Sequence, residues 1–529
     1  MRQRPRYIDT AACTSCGECA RVCPVALPNE YDEALSLKHA AYKRYAQAIP
    51  GAFAIHKYDP APCRRACPAG INVQGYVQMV KEGKYAQALG IIMADLPLPG
   101  VLGRICPHPC EEVCRRAEKD EPVSIRNLKR LAADRVDPAG LTVACAPPRA
   151  ETVAIVGAGP AGLSCAYHLA RRGIRSVIYE ALPAAGGMLR VGIPAHRLPR
   201  EVLDREIGIV TALGVEIRTG VALGRDVTVD GLFAEGHRAV YLAMGAHKGL
   251  ALGIPGEESD GVRQGVDFLR EVNLNGTTRT GRRIAIVGGG NVAIDVARSA
   301  MRLGAAEVLV VYRRTRKEMP AWEEEICAAE AEGVRITYLA APQAVLARNG
   351  RVSGLRCIRM ELTDPDASGR RRPVPVPGSE FDLECDQLIA AIGQRPDLAG
   401  LERTTGLAFT RTGTIEADAV SYATGRPGVF AGGDLATGPS IAIAAVGAGK
   451  EAAESIVRYL DGRDLAEGRG STAPAAPAYR PIPRGEPRRP RASMPELAAA
   501  ERRGNFREVE LGFDEPTGRS EAERCVNCG

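Results

Sequence analysis

Residues 153–163 read VAIVGAGPAGL, and this stretch decides the fold. Gly157, Gly159 and Gly162 directly follow a β-branched run that is typical of a buried strand. In this spacing the first glycine permits a tight turn, the second lets the backbone approach a pyrophosphate, and the third lets a helix pack on the strand. Glu180 ends the next predicted strand, SVIYE, where a carboxylate accepts hydrogen bonds from ribose hydroxyls. These features together predict a unit that binds a dinucleotide at a helix N-terminus.

A second copy of the pattern, RIAIVGGGNVA, occupies residues 283–293. Its second strand, EVLVVYRRTRKEMP, ends in two arginines instead of an acid. Basic side chains at that place suit a 2′-phosphate, so this copy predicts NADPH rather than NADH; the alternative is that the arginines merely lie at a strand end. The acidic run 323–325 behind them is interpreted as an exposed helix face. The candidate nucleotide-binding residues of this copy are Gly288, Gly290, Asn291, Ala293, Arg313 and Arg314.

The cysteines are distributed unevenly: of 16, nine lie between residues 13 and 114. Residues 13–24 read CTSCGECARVCP, the run that iron–sulfur ferredoxins use. Two-residue gaps let a tight loop direct three thiolates at one cluster, whereas a zinc knuckle uses pairs of C-x2-C. The fourth cysteine of such a run usually serves a different cluster. The candidate ligands here are Cys13, Cys16, Cys19 and Cys23.

Five further cysteines surround a segment with helical periodicity, INVQGYVQMVKEGKYAQALGIIM. Their C-x3-C spacings suit helical turns, where residues four apart share a face. Five cysteines held by a small helical unit indicate cluster ligands. They are Cys63, Cys67, Cys106, Cys110 and Cys114.

The composition excludes several classes of protein. The chain has 529 residues, enough for roughly three to four domains. A net charge of +6 and an aromatic content of 5% argue against a nucleic-acid-binding protein. The longest apolar stretch, residues 153–170, contains the glycine turn and is interpreted as a strand and a helix. The N-terminus has no apolar core of signal-peptide length, so we expect no membrane span and a cytoplasmic location.

Residues 59–147 resemble the N-terminal iron–sulfur domain of the glutamate synthase small-subunit family, which the front end of dihydropyrimidine dehydrogenase shares. The resemblance implies that Cys63 belongs to one cluster. It implies a different [4Fe–4S] cluster held by Cys67, Cys106, Cys110 and Cys114.

The chain departs from this family in two places. Family members usually carry a C-x2-C shortly before the position of Cys63, where this chain has HKYDPAP, and often a Gln or Glu ligand where this chain has Lys129. The other cluster must therefore find its ligands elsewhere. The candidate set is Cys63 with the first three cysteines of the N-terminal run, and a rival set replaces Cys63 by Cys23. Two clusters are expected in either case.

Residues 429–434, VFAGGD, closely resemble the terminal flavin motif of the pyridine-nucleotide disulfide oxidoreductase superfamily. The resemblance implies that FAD occupies the first nucleotide site and that the NADPH domain is inserted within the FAD domain. It implies that Asp434, after Gly433, binds the ribitol, and that Gly186 and Gly187 contact the flavin. The helix after Ser440 would point its N-terminus at the flavin ring.

Disulfide reductases of that superfamily carry a redox C-x2-C beside the flavin. Between residues 149 and 465 this chain has only isolated cysteines, and each is interpreted as a small buried hydrophobe. Electrons must therefore leave the flavin by another route, which the clusters provide. These four cysteines are Cys165, Cys327, Cys357 and Cys385.

The C-terminal part is rich in Pro, Ala, Arg and Gly over residues 466–497 and is interpreted as a linker. Beyond it lie Cys525 and Cys528. In one interpretation they fold back and supply the C-x2-C that is missing before Cys63. In the other they mark a truncated or split ferredoxin segment, since related hybrid proteins continue a similar R-C-x-N-C-G. Residues 5–58 also resemble the N-terminal piece of heterodisulfide reductase A-type subunits.

The predicted fold is α/β, with two Rossmann-like dinucleotide-binding domains preceded by an α-helical iron–sulfur domain and a small ferredoxin-like segment. The predicted domains are a ferredoxin-like segment at 1–58, a helical iron–sulfur domain at 59–148, an FAD domain at 149–255 and 390–465, an NAD(P)H domain at 256–389, and a linker and tail at 466–529.

The predicted function is an NADPH-dependent oxidoreductase with FAD and [4Fe–4S] clusters, acting as the electron-input subunit for a redox partner subunit or a ferredoxin-like acceptor. We expect no general acid or base, because the cofactors carry the chemistry. Alternatives are a heterodisulfide reductase A-like or ferredoxin:NADP electron-bifurcating subunit, and a redox-sensing scaffold that no longer turns over.

Overall fold

The computed structural model describes most of the chain, in two compact units. The first unit comprises Met1–Ala144, Gly470–Met494 and Gly512–Gly529, and the second Cys145–Arg469 and Pro495–Leu511. The described residues are 13–23, 26–28, 37–43, 53–55, 60–137, 140, 142–365, 371–402, 404–470, 479, 482 and 485–528.

The first unit is mainly helical. It begins with α1 and two antiparallel strand pairs, β1 with β2 and β3 with β4. The strands are β1 (Ala26–Pro28), β2 (Leu37–His39), β3 (Ala41–Tyr42) and β4 (Ala54–Ile55). The helices are α1 (Glu18–Arg21), α2 (Pro62–Arg65), α3 (Val73–Lys81), α4 (Tyr85–Met93), α5 (Pro99–Ile105), α6 (Pro109–Glu112), α7 (Ile125–Asp134) and α17 (Glu515–Glu523), with a 3₁₀ turn at Arg115–Glu118.

The periodic segment between the cysteines forms α3 and α4. The side chain of Asn72 caps α3 by accepting the Gly75 N–H at 3.0 Å, which satisfies one of the donors that a helix start leaves unpaired. The apolar faces of α3, α4 and α7 meet in a core in which Met79, Leu89 and Leu128 are fully buried. The helical unit thus has an apolar core of its own on which the cysteine-bearing loops rest.

The second unit contains two five-stranded parallel sheets. The first has the order β19-β8-β5-β6-β7. Its edge strand β19 pairs in parallel with β8 although the whole second sheet separates them in the chain, so the first nucleotide-binding domain is interrupted as predicted. The strands are β5 (Thr152–Val156), β6 (Arg175–Glu180), β7 (Glu216–Thr219), β8 (Ala239–Leu242) and β19 (Val429–Ala431).

The second sheet has the order β10-β17-β11-β12-β13. A three-stranded antiparallel sheet, β14-β15-β16, extends from it, and the short pair β9 and β18 joins the two segments that cross between the domains. The strands are β9 (Lys248–Gly249), β10 (Val262–Gln264), β11 (Arg283–Val287), β12 (Glu307–Tyr312), β13 (Arg335–Tyr338), β14 (Ala340–Arg348), β15 (Arg351–Pro365), β16 (Arg371–Glu384), β17 (Gln387–Ala390) and β18 (Gln394–Arg395).

The helices of this unit flank the parallel sheets, as right-handed β-α-β crossovers require. They are α8 (Pro160–Ala170), α9 (Met188–Val191), α10 (Arg200–Thr211), α11 (Val229–Ala234), α12 (Gly265–Asn275), α13 (Asn291–Arg302), α14 (Glu323–Ala331), α15 (Asp434–Thr437) and α16 (Ala442–Leu460), with 3₁₀ turns at Arg316–Glu318 and Ala499–Arg502. Among the residues that the structure describes, none of the helices combines the length and apolar character needed to cross a membrane.

A chain of buried ion pairs connects the segment before α10 to helices α13 and α14 of the second sheet. Arg197 pairs with Asp295 of α13 and with Glu325 of α14, at 2.8 Å each. Arg298 of α13 continues the chain to Glu332 at 2.7 Å. The interpretation of residues 323–325 as an exposed helix face is therefore wrong for Glu325, whose side chain is 14% exposed and neutralises two arginines, and is confirmed for the other two glutamates.

Helices α8 and α16 cross at a point where no side chain fits. A Cβ on Gly449 of α16 would overlap the Ala161 carbonyl oxygen and lie 2.9 Å from the Cys165 nitrogen. Ser164 bridges the same crossing by donating its hydroxyl to the Val446 carbonyl at 2.8 Å.

We expect Gly449→Val to lower the free energy of unfolding of this unit by about 3 kcal/mol, because the branched side chain forces the two helices apart. The control is Gly208→Ala in α10, where an added Cβ meets nothing within 4 Å and helix propensity favours alanine by up to about 1 kcal/mol. Urea unfolding of both variants measures the difference. Equal stability of the two variants would contradict the packing described here.

Candidate dinucleotide and iron–sulfur sites

The first glycine turn lies between β5 and α8. Its conformation is possible only because its glycines have no Cβ atom. Gly157 has a φ of +106°, and a Cβ there would overlap the Ala243 carbonyl oxygen at the end of β8. A Cβ on Gly162 would overlap the Gly157 carbonyl oxygen, so the first turn of α8 rests directly on the strand exit. The N–H groups of this first turn have no partner within the helix and favour an anion such as a pyrophosphate.

Glu180, the last residue of β6, lies beside this turn. Its carboxylate is buried, at 6% exposure, and accepts the N–H groups of Ala158 at 2.7 Å and Leu182 at 2.8 Å. Burial raises the pKa of Glu180, and the two N–H donors oppose that rise. The side chain therefore fixes the glycine turn and keeps its acceptor oxygens at the strand end, which fits the predicted contact with a ribose.

The predicted flavin-contacting glycines lie against the same turn. The Gly186 N–H donates to the Ala158 carbonyl at 2.9 Å, and Gly187, with a φ of +51°, approaches Gly159 so closely that an added Cβ would lie 2.8 Å from the Gly159 Cα. Two glycine backbones thus face each other without side chains. This opening fits the backbone approach that a dinucleotide requires.

Asp434 follows the edge strand β19 and begins α15. Gly433 before it has a φ of +62°, which glycine adopts readily. The Asp434 carboxylate accepts the Ser440 N–H at 3.1 Å, and burial raises its pKa to about 6. The long helix α16 begins two residues after Ser440. A partly buried carboxylate with one N–H donor keeps acceptor capacity for a hydroxyl-bearing ligand, as the predicted ribitol contact requires.

The second glycine turn repeats the first between β11 and α13. Gly288 has a φ of +146°, and a Cβ there would overlap the Ala391 carbonyl oxygen after β17. A Cβ on Gly290 meets nothing within 4 Å, which leaves the backbone accessible. The predicted residue Asn291 has a structural contact: its side-chain oxygen accepts the Trp322 N–H at 3.2 Å, just before α14.

The two predicted arginines lie at the end of β12. Arg313 is exposed, and Arg314 is half-buried with its Nε donating to the Arg371 carbonyl at 3.2 Å. Ala293, the third fingerprint position, is fully buried in the core of this domain. The placement of Arg313 leaves its guanidinium available for an anionic ligand, whereas Arg314 also holds β16.

The N-terminal cysteine run lies in a tight turn that leads into α1. Gly17 has a φ of +79°, and the Cys13 sulfur accepts the Phe53 N–H at 3.4 Å. This N–H donor is the main cause that lowers the pKa of the Cys13 thiol. Cys16 is exposed, and the pKa of Cys19 is raised chiefly by burial and further by the charges of Cys13 and Cys16. The first three cysteines therefore lie close together; Cys23 is half-buried.

The cysteines of the helical unit fall into two groups. One group lines a pocket together with the C-terminal C-x2-C, and its cysteines are Cys63, Cys114, Cys525 and Cys528. The other group is centred on Cys110, whose pKa is raised by burial and by its neighbours Cys106 and Cys67 and lowered by the buried Lys129. From the sequence, a fold-back of Cys525 and Cys528 toward Cys63 was one of two interpretations, and their C-x2-C spacing was the signal for it.

The four isolated cysteines between residues 149 and 465 differ from the expectation in one case. Cys165, Cys357 and Cys385 are buried, as interpreted from the sequence. Cys327 is exposed and contacts Arg316 at 3.3 Å, because it lies on the outer face of α14. Within the described ranges, no three Cys, His, Asp or Glu side chains converge as the ligands of a single metal ion would.

Models of known families match three parts of the chain. Residues 151–449 match the pyridine nucleotide-disulphide oxidoreductase family. Residues 38–140 match dihydropyrimidine dehydrogenase domain II with its 4Fe-4S cluster, and residues 6–27 match a 4Fe-4S binding domain.

Several curated proteins are similar over most of the chain. The chain is 44% identical to the NADP(+)-dependent formate dehydrogenase subunit beta of Moorella thermoacetica, over 92% of this chain and 73% of that protein. It is 42% identical to the NADPH-Fe(3+) oxidoreductase subunit beta of Geobacter sulfurreducens, over 90% of this chain and 76% of that protein. It is 33% identical to the glutamate synthase [NADPH] small chain of Escherichia coli, over 75% and 88%.

The fold of the second unit is also found among solved structures. Mycobacterium tuberculosis FprA in complex with NADPH superposes with a TM-score of 0.51 at 20% identity, covering 60% of this chain and 86% of that chain. At this identity the likeness concerns the fold alone. From its interrupted parallel sheets, its glycine turns and these matches, we conclude that the chain is an oxidoreductase of the pyridine nucleotide-disulphide oxidoreductase family, with 4Fe-4S domains and the glutamate synthase small chains among its relatives.

Proposed function

We propose that this protein is the electron-input subunit of a larger enzyme, which takes electrons from NADPH through FAD and iron–sulfur clusters and delivers them to a partner. One observation carries the proposal: two dinucleotide-type turns share a single compact unit whose sequence contains no C-x2-C, while the C-x2-C and C-x3-C cysteines lie in the other unit. When bound, FAD supplies the exchange between a hydride and single electrons.

In the first nucleotide-binding domain, the residues of this chain bind FAD and orient it. The N–H groups at the start of α8 stabilise the pyrophosphate, and Glu180 accepts hydrogen bonds from the ribose while it holds the glycine turn. Asp434 accepts from the ribitol, and its position before α16 fixes the ring relative to that helix. Gly186 and Gly187 keep side chains away from the ligand.

On the nicotinamide side, the N-terminus of α13 takes the pyrophosphate, and Gly288 and Gly290 let the backbone approach it. Arg313 and Arg314, at the end of β12, bind the 2′-phosphate by charge-assisted hydrogen bonds, which selects NADPH over NADH. The buried pairs of Arg197 with Asp295 and Glu325 hold the NAD(P)H domain against the FAD domain.

The cysteine groups of the first unit would hold the clusters through which electrons leave. The N-terminal run includes the exposed Cys16, so its cluster is the natural place for contact with an acceptor. Two similar proteins are named as beta subunits, of a formate dehydrogenase and of an Fe(3+) oxidoreductase, which supports a partner subunit as the acceptor. The partner would carry the chemistry on the final substrate.

Anaerobic addition of NADPH to the purified full-length protein tests the proposal. We expect both the flavin absorbance and the broader iron–sulfur absorbance to bleach within the same titration. A scaffold that only binds nucleotides would stay oxidised in both bands, and a flavin that bleaches alone would exclude the relay.

We expect Glu180→Ala to raise the Kd for FAD about tenfold to hundredfold, because it removes a buried carboxylate that accepts two N–H groups. Glu180→Gln, which keeps one acceptor oxygen, should fall between. Glu216→Ala, on the exposed neighbouring strand β7, is the matched control and should retain FAD. Equilibrium dialysis of FAD against the three variants measures the effect, and equal affinity of Glu180→Ala and the control would contradict it.

We expect Arg313→Ala to lower kcat/KM for NADPH about tenfold to hundredfold and to leave kcat/KM for NADH unchanged, because the lost guanidinium touches only the 2′-phosphate. Arg335→Ala, which removes an exposed arginine from the adjacent strand β13, should change neither value. Flavin reduction followed with each coenzyme gives both constants. An equal loss of kcat/KM for NADH would mean that Arg313 stabilises the domain and does not bind the 2′-phosphate.

A further inference from the structure

The helical unit contains a pocket lined by four cysteines from three distant stretches of the chain. Cys63 lies in α2, Cys114 precedes the 3₁₀ turn after α6, and Cys525 and Cys528 follow α17. None of the four is in a disulfide. Apolar side chains such as Val73, Val77 and Ile125 complete the lining. Four cysteines from distant parts of the sequence therefore line one pocket.

Helix α17 places the tail cysteines by close packing. Asp514 caps the helix by accepting the Thr517 N–H at 2.9 Å. Gly518 lets α17 approach α7, since a Cβ there would overlap the Leu131 side chain. The buried Glu521 accepts the Ser124 N–H at 2.8 Å, just before α7. The helix is thus anchored at its start, middle and end.

Two buried arginines then fix the chain on either side of the pocket. Arg524, next to Cys525, pairs with Glu521 at 2.7 Å and with Asp120 at 3.0 Å. Arg116, two residues after Cys114, pairs with Asp120 at 2.6 Å and donates to the Arg524 carbonyl at 3.2 Å. Because Asp120 binds both arginines, the backbones that carry Cys114 and Cys525 are held together by one network.

The described part of the linker joins the same network. Glu486 pairs with Arg116 at 2.7 Å, and the Arg489 N–H donates to Asp120 at 3.0 Å. Residues 486–491, within the predicted linker at 466–497, contact the helical unit through specific hydrogen bonds. These contacts hold the chain before α17 close to the cysteine pocket.

Backbone N–H groups lie near two of the sulfur atoms. Burial raises the pKa of Cys114 and of Cys525, and the N–H groups of Val123 and Arg116 near Cys114, and of Asn527 near Cys525, oppose that rise. Asn527 adopts a φ of +49°, which turns the C-x2-C so that both thiols reach the pocket, and Gln74 donates to its side chain at 3.4 Å. N–H donors to sulfur are a regular feature of iron–sulfur ligation and tune the cluster potential.

We propose that Cys63, Cys114, Cys525 and Cys528 together hold a [4Fe–4S] cluster, with the C-terminal C-x2-C replacing the pair that the sequence lacks before Cys63. The proposal deepens the proposed function by naming the ligands of one of its clusters. It assigns Cys114 to this cluster rather than to that of Cys67, Cys106 and Cys110, beside which Lys129 lies.

The assignment changes the expected number of clusters. With Cys63 committed to the pocket, the N-terminal run closes its own cluster through Cys23, the rival set of the sequence analysis. The cysteines then form three ligand groups instead of two, of which the group of Cys67, Cys106 and Cys110 has three thiols, so the protein would bind more than the about eight iron per FAD that two clusters give.

The test compares the full-length double variant Cys525→Ser/Cys528→Ser with wild type and with Cys327→Ser, an isolated exposed cysteine of the other unit. Iron, sulfide, zinc and FAD are counted after anaerobic purification, and the dithionite-reduced proteins are examined by low-temperature EPR. We expect the double variant to lose about four iron and four sulfide and one EPR signal. Cys327→Ser should lose none.

Combination with Cys63→Ser guards against a general loss of folding. Cys63→Ser alone should lose the same four iron, and the triple variant Cys63→Ser/Cys525→Ser/Cys528→Ser should lose no more than either, because all three belong to one cluster. Unchanged iron in the tail variant, an additive loss of about eight iron in the triple variant, or one zinc in place of four iron would overturn the assignment. FAD content and its reduction by NADPH should be unchanged throughout, which separates this test from that of the proposed function.

Discussion

The close contact between the first turn of α8 and the glycine turn before it is the constraint on which the flavin half depends. Gly162 has no room for a Cβ against the Gly157 carbonyl, and Gly449 has none against Ala161. The missing Cβ atoms at these two glycines let β5, α8 and α16 pack closely together. They also leave the N–H groups at the start of α8 open to an anionic ligand. Packing and anion binding are therefore consequences of the same short distances.

The glycine turn of the second sheet depends on the same close contact, but it tolerates a side chain at one more position. Gly288 again has no room for a Cβ, here against the Ala391 carbonyl, but the third fingerprint position tolerates Ala293 as a buried core residue. The two half-sites differ more strongly at the end of the second strand. Glu180 is buried and binds the turn, whereas Arg313 is exposed. One fold thus presents an acceptor in one domain and a cation in the other, which separates the proposed ligands FAD and NADPH.

The sequence was sufficient wherever the determining contacts are local. The glycine turns, the acid at the end of β6 and the interrupted order of the first sheet follow from patterns within about 30 residues of one another or from a second pattern of the same kind. It was insufficient where residues meet from afar. Glu325 lies in an acidic run that suggests exposure. Its burial is explained by its ion pairs with Arg197 and Arg298, which come from other parts of the chain. The sequence around Cys525 offers only Cys528 as a further ligand, because the residues that hold this segment in place, Asp120 and Arg116, lie far away in the chain.

The central claim is that NADPH, flavin and clusters form one electron path, and the order of reduction tests it most directly. In a stopped-flow experiment, the anaerobic full-length protein is mixed with a single equivalent of NADPH and followed at a flavin and at an iron–sulfur wavelength. The account predicts that the flavin band bleaches first and recovers in part as the cluster band bleaches, at a rate independent of protein concentration. Clusters that stay oxidised while the flavin remains reduced, or that are reduced only at a rate proportional to protein concentration, would contradict an internal path.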